Sequence, residues 1–210
     1  MKILAFVDTH GNIKAIDRIV ETAKKSDVDA LICAGDVSIF EQNIESLIRK
    51  LASTKRAVLI IPGNHEAPKH LRDLCSKYKN IIYMNKAVLK IKDNKGRIVI
   101  FMGNEANGFA NNDPQFAEWG RKVKKQVHDL SKGMKKRPIL ILITHAPPYK
   151  TKLDNLMGSR CGNKDIRRFI EEMKVNLAIA GHIHENSGKE DRIKNTRVVN
   201  PGPYGKIIEI

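Results

Sequence analysis

Apolar residues in this chain arrive in short bursts, and each burst ends on a polar motif. The runs Ile3–Val7, Leu31–Ala34, Val58–Ile61, Ile139–Ile143 and Leu177–Ala180 lack polar alternation and are rich in β-branched residues. That is the pattern of strands buried on both faces. Between the early runs lie stretches with helical spacing. Ile13–Lys25 places Ile16, Ile19, Val20 and Ala23 on one face, and Asn43–Ala52 does the same with Ile44, Leu47, Ile48 and Leu51. A shorter helix is expected near Lys69–Ser76. Strands Lys2–Val7, Ala30–Ala34 and Ala57–Ile61 therefore alternate with helices. That order implies right-handed crossovers and a parallel sheet.

The middle of the chain changes character. Ile81–Tyr83, Ala87–Ile91 and Arg97–Met102 read as strands, the last two joined by a turn at Asp93-Asn94-Lys95-Gly96. A hairpin and a second, mixed sheet are expected from them. A Gly/Asn-rich loop, Gly103–Asp113, precedes a long basic helix over Pro114–Lys132. Strand Pro138–Ile143, helix Lys164–Glu172 and strand Leu177–Ala180 resume the α/β order. Strands Arg197–Asn200 and Lys206–Ile210, separated by Pro201-Gly202-Pro203, end it. No repeat or linker divides the 210 residues, so one domain over 1–210 is expected, with two sheets face to face and helices outside.

Composition narrows the classes. Hydrophobic residues make up 41% and charged residues 29%, a globular balance. No apolar run reaches the roughly 20 residues that span a bilayer. Met1–Val7 runs into Asp8 without a small-residue cleavage site and reads as a strand, not a signal segment. Cys33, Cys75 and Cys161 are widely spaced and odd in number, which points to thiols of a cytoplasmic protein. The formal net charge of +15 raises nucleic acid as a partner. The densest basic cluster runs from Arg121 to Arg137, yet lysines are scattered over nearly every expected helix and turn, as on a solvated surface.

The polar motifs carry the chemistry. They are Asp8-Thr9-His10, Gly35-Asp36, Gly63-Asn64-His65-Glu66, Thr144-His145 and Gly181-His182-Ile183-His184. If the preceding strands are parallel, all the motifs share one edge of one sheet, where open α/β folds place their sites. The glycines let the backbone turn sharply, so that Asp36, Asn64 and His182 reach inward. Carboxylates and imidazoles suit Mn²⁺, Fe²⁺ and Zn²⁺. Two ions about 3.5–4 Å apart use the whole donor set if one carboxylate bridges. Such a pair acidifies a water to hydroxide and holds phosphoryl oxygens, so phosphoester hydrolysis is the expected reaction class. His70 and His128 lie outside the pattern and take no role. Cys33 and Trp119 read as packing residues.

From Asp8 to His184 the ordered motifs resemble the calcineurin-like metallophosphoesterase signature, and the Thr144–Pro148 and Asn200–Pro203 stretches resemble its small prokaryotic phosphodiesterase-like branch. The resemblance implies a four-layer α/β-β/α sandwich of two mixed sheets. It implies that Asp8, His10, Asp36 and His184 hold one metal, and that bridging Asp36, Asn64, His145 and His182 hold the other. His65 is left as the catalytic group near the phosphate. Gly11 and Asn12 are weaker candidates for substrate contact, and Glu66 stands where Asp is more frequent. The implied cofactors are two divalent ions among Mn, Fe, Zn and Ni, with Mn favoured. The implied function is hydrolysis of phosphodiesters by a metal-bound hydroxide. A nuclease on the same fold and a non-catalytic scaffold are the alternatives.

Overall fold

The computed structural model describes residues 1–106, 108 and 110–210. Helices α1 (Ile13–Lys25), α2 (Ile44–Ala52) and α3 (Pro68–Ser76) connect strands β1 (Lys2–Phe6), β2 (Ala30–Cys33), β3 (Ala57–Ile60) and β4 (Ile81–Tyr83). The hairpin β5 (Ala87–Lys92) and β6 (Ile98–Asn104) follows. Then come α4 (Pro114–Ser131), β7 (Ile139–Thr144), a small hairpin β8 (Asn155–Leu156) and β9 (Ser159–Arg160), α5 (Lys164–Met173) and β10 (Leu177–Ile179). A short 3₁₀ turn over His184–Asn186 leads to β11 (Glu190–Ile193), β12 (Thr196–Val199) and β13 (Lys206–Glu209).

The strands form two large mixed sheets. The first has the order β13-β1-β2-β3-β4, and the second β11-β12-β10-β7-β6-β5. In the first, only β13 runs antiparallel to its neighbour. In the second, the edge strands β11 and β5 do so. The five apolar runs therefore do not lie in one sheet: β1, β2 and β3 belong to the first, β7 and β10 to the second. A doubly buried run says that both faces are covered. It does not say which sheet it joins.

The side-chain period of two sorts each strand between layers. In β1, Leu4 and Phe6 pack with α1, α2 and α3, whereas Ile3 and Ala5 pack between the sheets. Leu59, Phe101, Ile141, Ile143 and Ile179 join that middle layer. Ile100, Met102, Leu140, Leu142 and Ala178 face α4 and α5 on the far side. Trp119 is one of those packing residues, its ring 5.3 Å from Phe116 and 5.9 Å from Phe169. Cys33 is buried in the first helix layer, as expected of a core thiol. The result is the four-layer α/β-β/α sandwich. Among the described residues, no helix is long and apolar enough to cross a membrane.

A charge cluster pins the sheets together at one edge. Glu190 on β11 accepts from Arg197 of β12 at 2.7 and 2.9 Å and also pairs with Lys206 of β13, which belongs to the other sheet. The hydrogen bond from Arg197 leads the causes that bring the Glu190 carboxyl down to about 2. A depressed carboxylate pKa adds stability above its unfolded value of 4.5, and that stability is lost as pH falls through about 2. Glu190→Gln is expected to lower the unfolding free energy near neutral pH by about 0.5–1 kcal/mol, the range for a partly exposed network. Denaturant titrations across pH check this, because the difference between wild type and variant shrinks as pH drops from about 4.5 towards 2. A difference that is absent at neutral pH, or that stays constant into acid, contradicts it.

Candidate metal centre

The ends of β1, β2 and β3 meet the ends of β7 and β10 where the two sheets adjoin, and all five motifs emerge there. The approach is close enough to exclude side chains. A Cβ at Gly181 would lie 2.2 Å from Val7 Cγ2, and one at Gly63 would lie 2.0 Å from Asp36 Oδ1. Neither glycine has a positive φ, so what requires glycine at both places is close approach. Gly35 needs both freedoms, with φ at 100° and a Cβ position 2.7 Å from Gly63 N.

The ligand candidates themselves take the strained backbone. Asp8 (φ 54°), His10 (45°), Asp36 (51°) and His182 (72°) are all left-handed. Each such residue costs about 1–2 kcal/mol, and such strain clusters at functional sites. Cross-loop hydrogen bonds hold it. Asp8 N donates to Gly35 O at 3.2 Å, His10 N to Asp36 O at 3.0 Å, and His182 N to Asp8 Oδ2 at 2.9 Å.

Glu66 is the functional residue that sequence reasoning left without a role. Its buried carboxylate accepts from Asp36 N (3.0 Å), Gly63 N (2.9 Å), Ser38 N (2.9 Å) and Ser38 Oγ (2.8 Å). It thereby ties the second motif to the third. Burial raises its pKa against the opposing pull of those bonds. The available signal was its place directly after the Asn-His pair.

Donor atoms gather in two groups. His10 Nε2 lies 2.9 Å from His184 Nε2, beside Asp8, whose buried Oδ1 has no hydrogen-bond partner among the described residues and lies 3.9 Å from His145 Nδ1. In the second group, Asn64 Oδ1 lies 3.0 Å from His145 Nε2 and 2.9 Å from His182 Nδ1, with 3.2 Å between those nitrogens. Asp36 Oδ2 stands between the groups, 3.3 Å from His145 Nε2 and 3.8 Å from His10 Nε2. Donors bound about 2.0–2.2 Å from one ion are themselves about 3.0–3.5 Å apart. The spacing and the orphaned Asp8 oxygen fit divalent cations. His65 sits at the edge, its Nε2 4.0 Å from Asp36 Oδ2. His10, Asp36 and His65 form one of three donor clusters whose atoms lie within 4.8 Å of each other.

Electrostatics agree with a cation site. Burial pushes Asp8 up to about 6, with His145 opposing and Asp36 adding to the rise. Burial opposes the charged form of His145, but the hydrogen bond to Asp36 and the nearby carboxylates outweigh it and raise it to about 9. Burial and then the His145 charge take His182 down to about 4. Burial works against the Asp36 carboxylate, but His145 keeps it below its usual value. His145 Nδ1 is 3.0 Å from Ala34 O, which orients the ring and aims Nε2 at the other donors.

A cavity of about 400 Å³ opens beside Asn64 and His145. Lys86, Asn104, Glu105, Asn112 and Gln115 line it. Much of the Gly103–Asp113 segment thus forms a pocket wall; its Asn107 and Phe109 lie outside the described residues. Asn12 instead caps α1, accepting from Ala15 N at 3.1 Å. His70 pairs with Glu41 at 3.0 Å, away from the donor set.

The fold recurs widely. TT1561 of Thermus thermophilus superposes with a TM-score of 0.70 at 18% identity, over 96% of this chain and 88% of that one. A dimetal phosphatase from Danio rerio gives 0.65 at 9% identity, covering 95% and 86%. The phosphopantetheinyl hydrolase PptH from Mycobacterium tuberculosis gives 0.64 at 15%, covering 96% and 88%. No curated protein matches the chain. At such identities these structures share the architecture, whereas the sequence itself matches the model of one family, the calcineurin-like phosphoesterases, over residues 1–186. That stretch runs from β1 through the last of the histidine motifs, and by it the chain belongs to the calcineurin-like phosphoesterase family.

Proposed function

We propose that the protein is a dinuclear-metal phosphodiesterase. The observation that carries this reading is the pair of donor groups sharing Asp36 Oδ2, with donor spacings of 2.9–3.3 Å in the Asn64 group and 2.9–3.8 Å among His10, His184 and Asp36. Asp8, His10, Asp36 and His184 would hold one ion, and Asp36, Asn64, His145 and His182 the other. Two divalent ions there supply Lewis-acid polarisation of the phosphoryl oxygens and lower the pKa of an attacking water. Mn²⁺ is the favoured occupant of a mixed carboxylate–imidazole set, though Fe²⁺, Zn²⁺ and Ni²⁺ suit the same donors.

The chain's own residues do the rest. Asp8 and Asp36 neutralise part of the cation charge, leaving a net positive site for an anionic ester. His65, half-buried at the edge, is the candidate to give a proton to the leaving oxygen. The complete donor set speaks against a non-catalytic scaffold. The nuclease reading rests on net charge, and Lys122, Lys124 and Lys132 of the basic cluster are each paired with a carboxylate. The free thiols Cys33, Cys75 and Cys161 support a reducing, cytoplasmic setting.

Asp36→Asn is expected to weaken binding of both ions, where loss of a terminal ligand affects chiefly one. Metal analysis after dialysis against Mn²⁺ tests it, and full two-ion occupancy in the variant rules out the bridge. His65→Gln should keep both ions but lower turnover by about 10²–10⁴. The loss should shrink for nitrophenyl esters, whose leaving oxygen needs no proton. An equal loss on good and poor leaving groups removes the acid role, and loss of an ion makes His65 a ligand. Across a panel of monoesters, diesters, cyclic nucleotides and short oligonucleotides, Mn²⁺-loaded protein should cleave diesters. Activity confined to monoesters overturns the diesterase reading while leaving the metal assignment standing.

A further inference from the structure

The two flanks of the donor set differ in chemistry. On the Asn64 and His145 side lies the polar cavity with Lys86 and its amide side chains. On the His10 and His65 side stands an apolar lip. Phe40 is 74% exposed there, its ring centroid 4.5 Å from that of His65 and inclined at 63°. His65 in turn lies edge-on to His10 at 5.0 Å. Ile39, next to it in the chain, is 39% exposed, and Ile13, which opens α1 after the His10 loop, is 45% exposed. Their loops run side by side, because His10 N and Gly11 N donate to Asp36 O and Val37 O at 3.0 and 2.9 Å.

The segment presenting Phe40 is pinned on both sides. Ser38 is held by Glu66 through its N and Oγ. Glu41 Oε1 accepts from Ala67 N at 2.9 Å and pairs with His70 at 3.0 Å, which anchors it to the start of α3. Phe40, between these anchors, and Glu41 itself both take left-handed backbone, with φ at 46° and 63°. A β-carbon residue in that region is strained, and the strain here serves to lift a phenyl ring away from the core. The ring, flanked by half-exposed Ile39, leaves apolar surface beside the donor set that a ligand's flat face can cover.

We propose that Phe40 is a specificity residue that stacks a flat aromatic group on the leaving side of the ester. The assignment of that side rests on the reading of His65 as proton donor: the oxygen that receives its proton belongs to the group lying over His65 and Phe40. The polar cavity then takes the group retained on the phosphate. The flat group is either an aryl ring on the leaving oxygen or the base of a nucleoside. Both present the π face that an exposed phenyl ring binds edge-on or offset.

Three Mn²⁺-dependent substrate series separate the cases: nitrophenyl, nucleoside and glyceryl phosphodiesters. Phe40→Ala should lower kcat/KM about tenfold for whichever flat series is the true class, in line with base–aromatic stacking. It should leave glyceryl esters within about twofold, and Phe40→Tyr should restore the loss. A second readout does not depend on turnover. Trp119, the only native tryptophan, is buried, so Phe40→Trp adds an exposed indole. Nucleoside monophosphate or nitrophenyl phosphate should quench that emission, and glycerol phosphate should not. Equal losses in all series, or no selective loss and no selective quenching, overturn the proposal. A wild type that cleaves no ester defeats the phosphoesterase reading instead, and the quenching titration still decides whether the ring stacks a flat ligand.

Discussion

One buried carboxylate holds the reacting edge together. Glu66 receives backbone hydrogens from Asp36, Gly63 and Ser38 and the hydroxyl of Ser38, so two loops from neighbouring strands are bound to a single side chain. Each donor it satisfies would otherwise be an orphaned buried group, costing about 1–3 kcal/mol. The effect reaches beyond the bonds. Asp36 N is held where the carboxylate Oδ1 accepts from His65 N at 3.0 Å, so Asp36 and His65 are positioned against each other by the same anchor. Gly63 must then lie where no Cβ fits, hard against Asp36. A shorter acid at position 66 has one fewer methylene with which to span both loops.

Strain and sheet packing follow from that constraint. Left-handed backbone at Asp8, His10, Asp36 and His182 persists because bonds from other loops over-determine each residue. One of those bonds crosses between the sheets: His182, after a strand of the second, donates to Asp8, after a strand of the first. The middle core of Ile3, Ala5, Leu59, Ile141 and Ile179 keeps the two sheets in register behind them. Stability of the inner layer and geometry of the donors are thus one problem. A core change that shifts one sheet relative to the other also changes distances between ligands, since the donors come from both.

Much of this was legible in the sequence. Doubly buried strands announce themselves as unbroken apolar runs, and the polar residues after them are the ones that reach a sheet edge. What the runs omit is partnership, so the single-sheet expectation failed while the two-layer one held. Strand β11, Glu190-Asp191-Arg192-Ile193, was missed because an edge strand carrying an ion network has no apolar signature. The hairpin Asn155–Arg160 was missed because its strands are only two residues each. The glycines were found at the right places for an incomplete reason: the sharp turns were expected, but at Gly63 and Gly181 it is the close approach of other atoms that leaves no room for a Cβ. Glu66 gave no periodic signal, since its role is long-range hydrogen bonding. Phe40 gave no such signal either: it follows Val37 and Ile39 and reads as one more apolar residue until the folded chain shows it exposed.

Charge acts at two ranges in this molecule. At long range, +15 draws any anion towards the surface, without specifying where it binds. Lysines paired with Glu118, Asp129 and Glu172 on the helical face contribute little local direction to that field. At short range the sign reverses, because Asp8 and Asp36 are buried among imidazoles. Burial favours neutral Asp8, with a pKa near 6, and the Asp36 hydrogen bond favours charged His145, near 9, so protons compete with cations for the same atoms. Divalent ions suit such a cluster better than protons do, because each satisfies several donors at once and binding releases the protons. A basic protein whose edge gathers carboxylates and imidazoles able to hold cations draws anions from a distance and, on the function proposed above, meets them with positive charge only where that edge is loaded. On that reading the surface governs encounter, and the buried carboxylates govern where the bound charge sits.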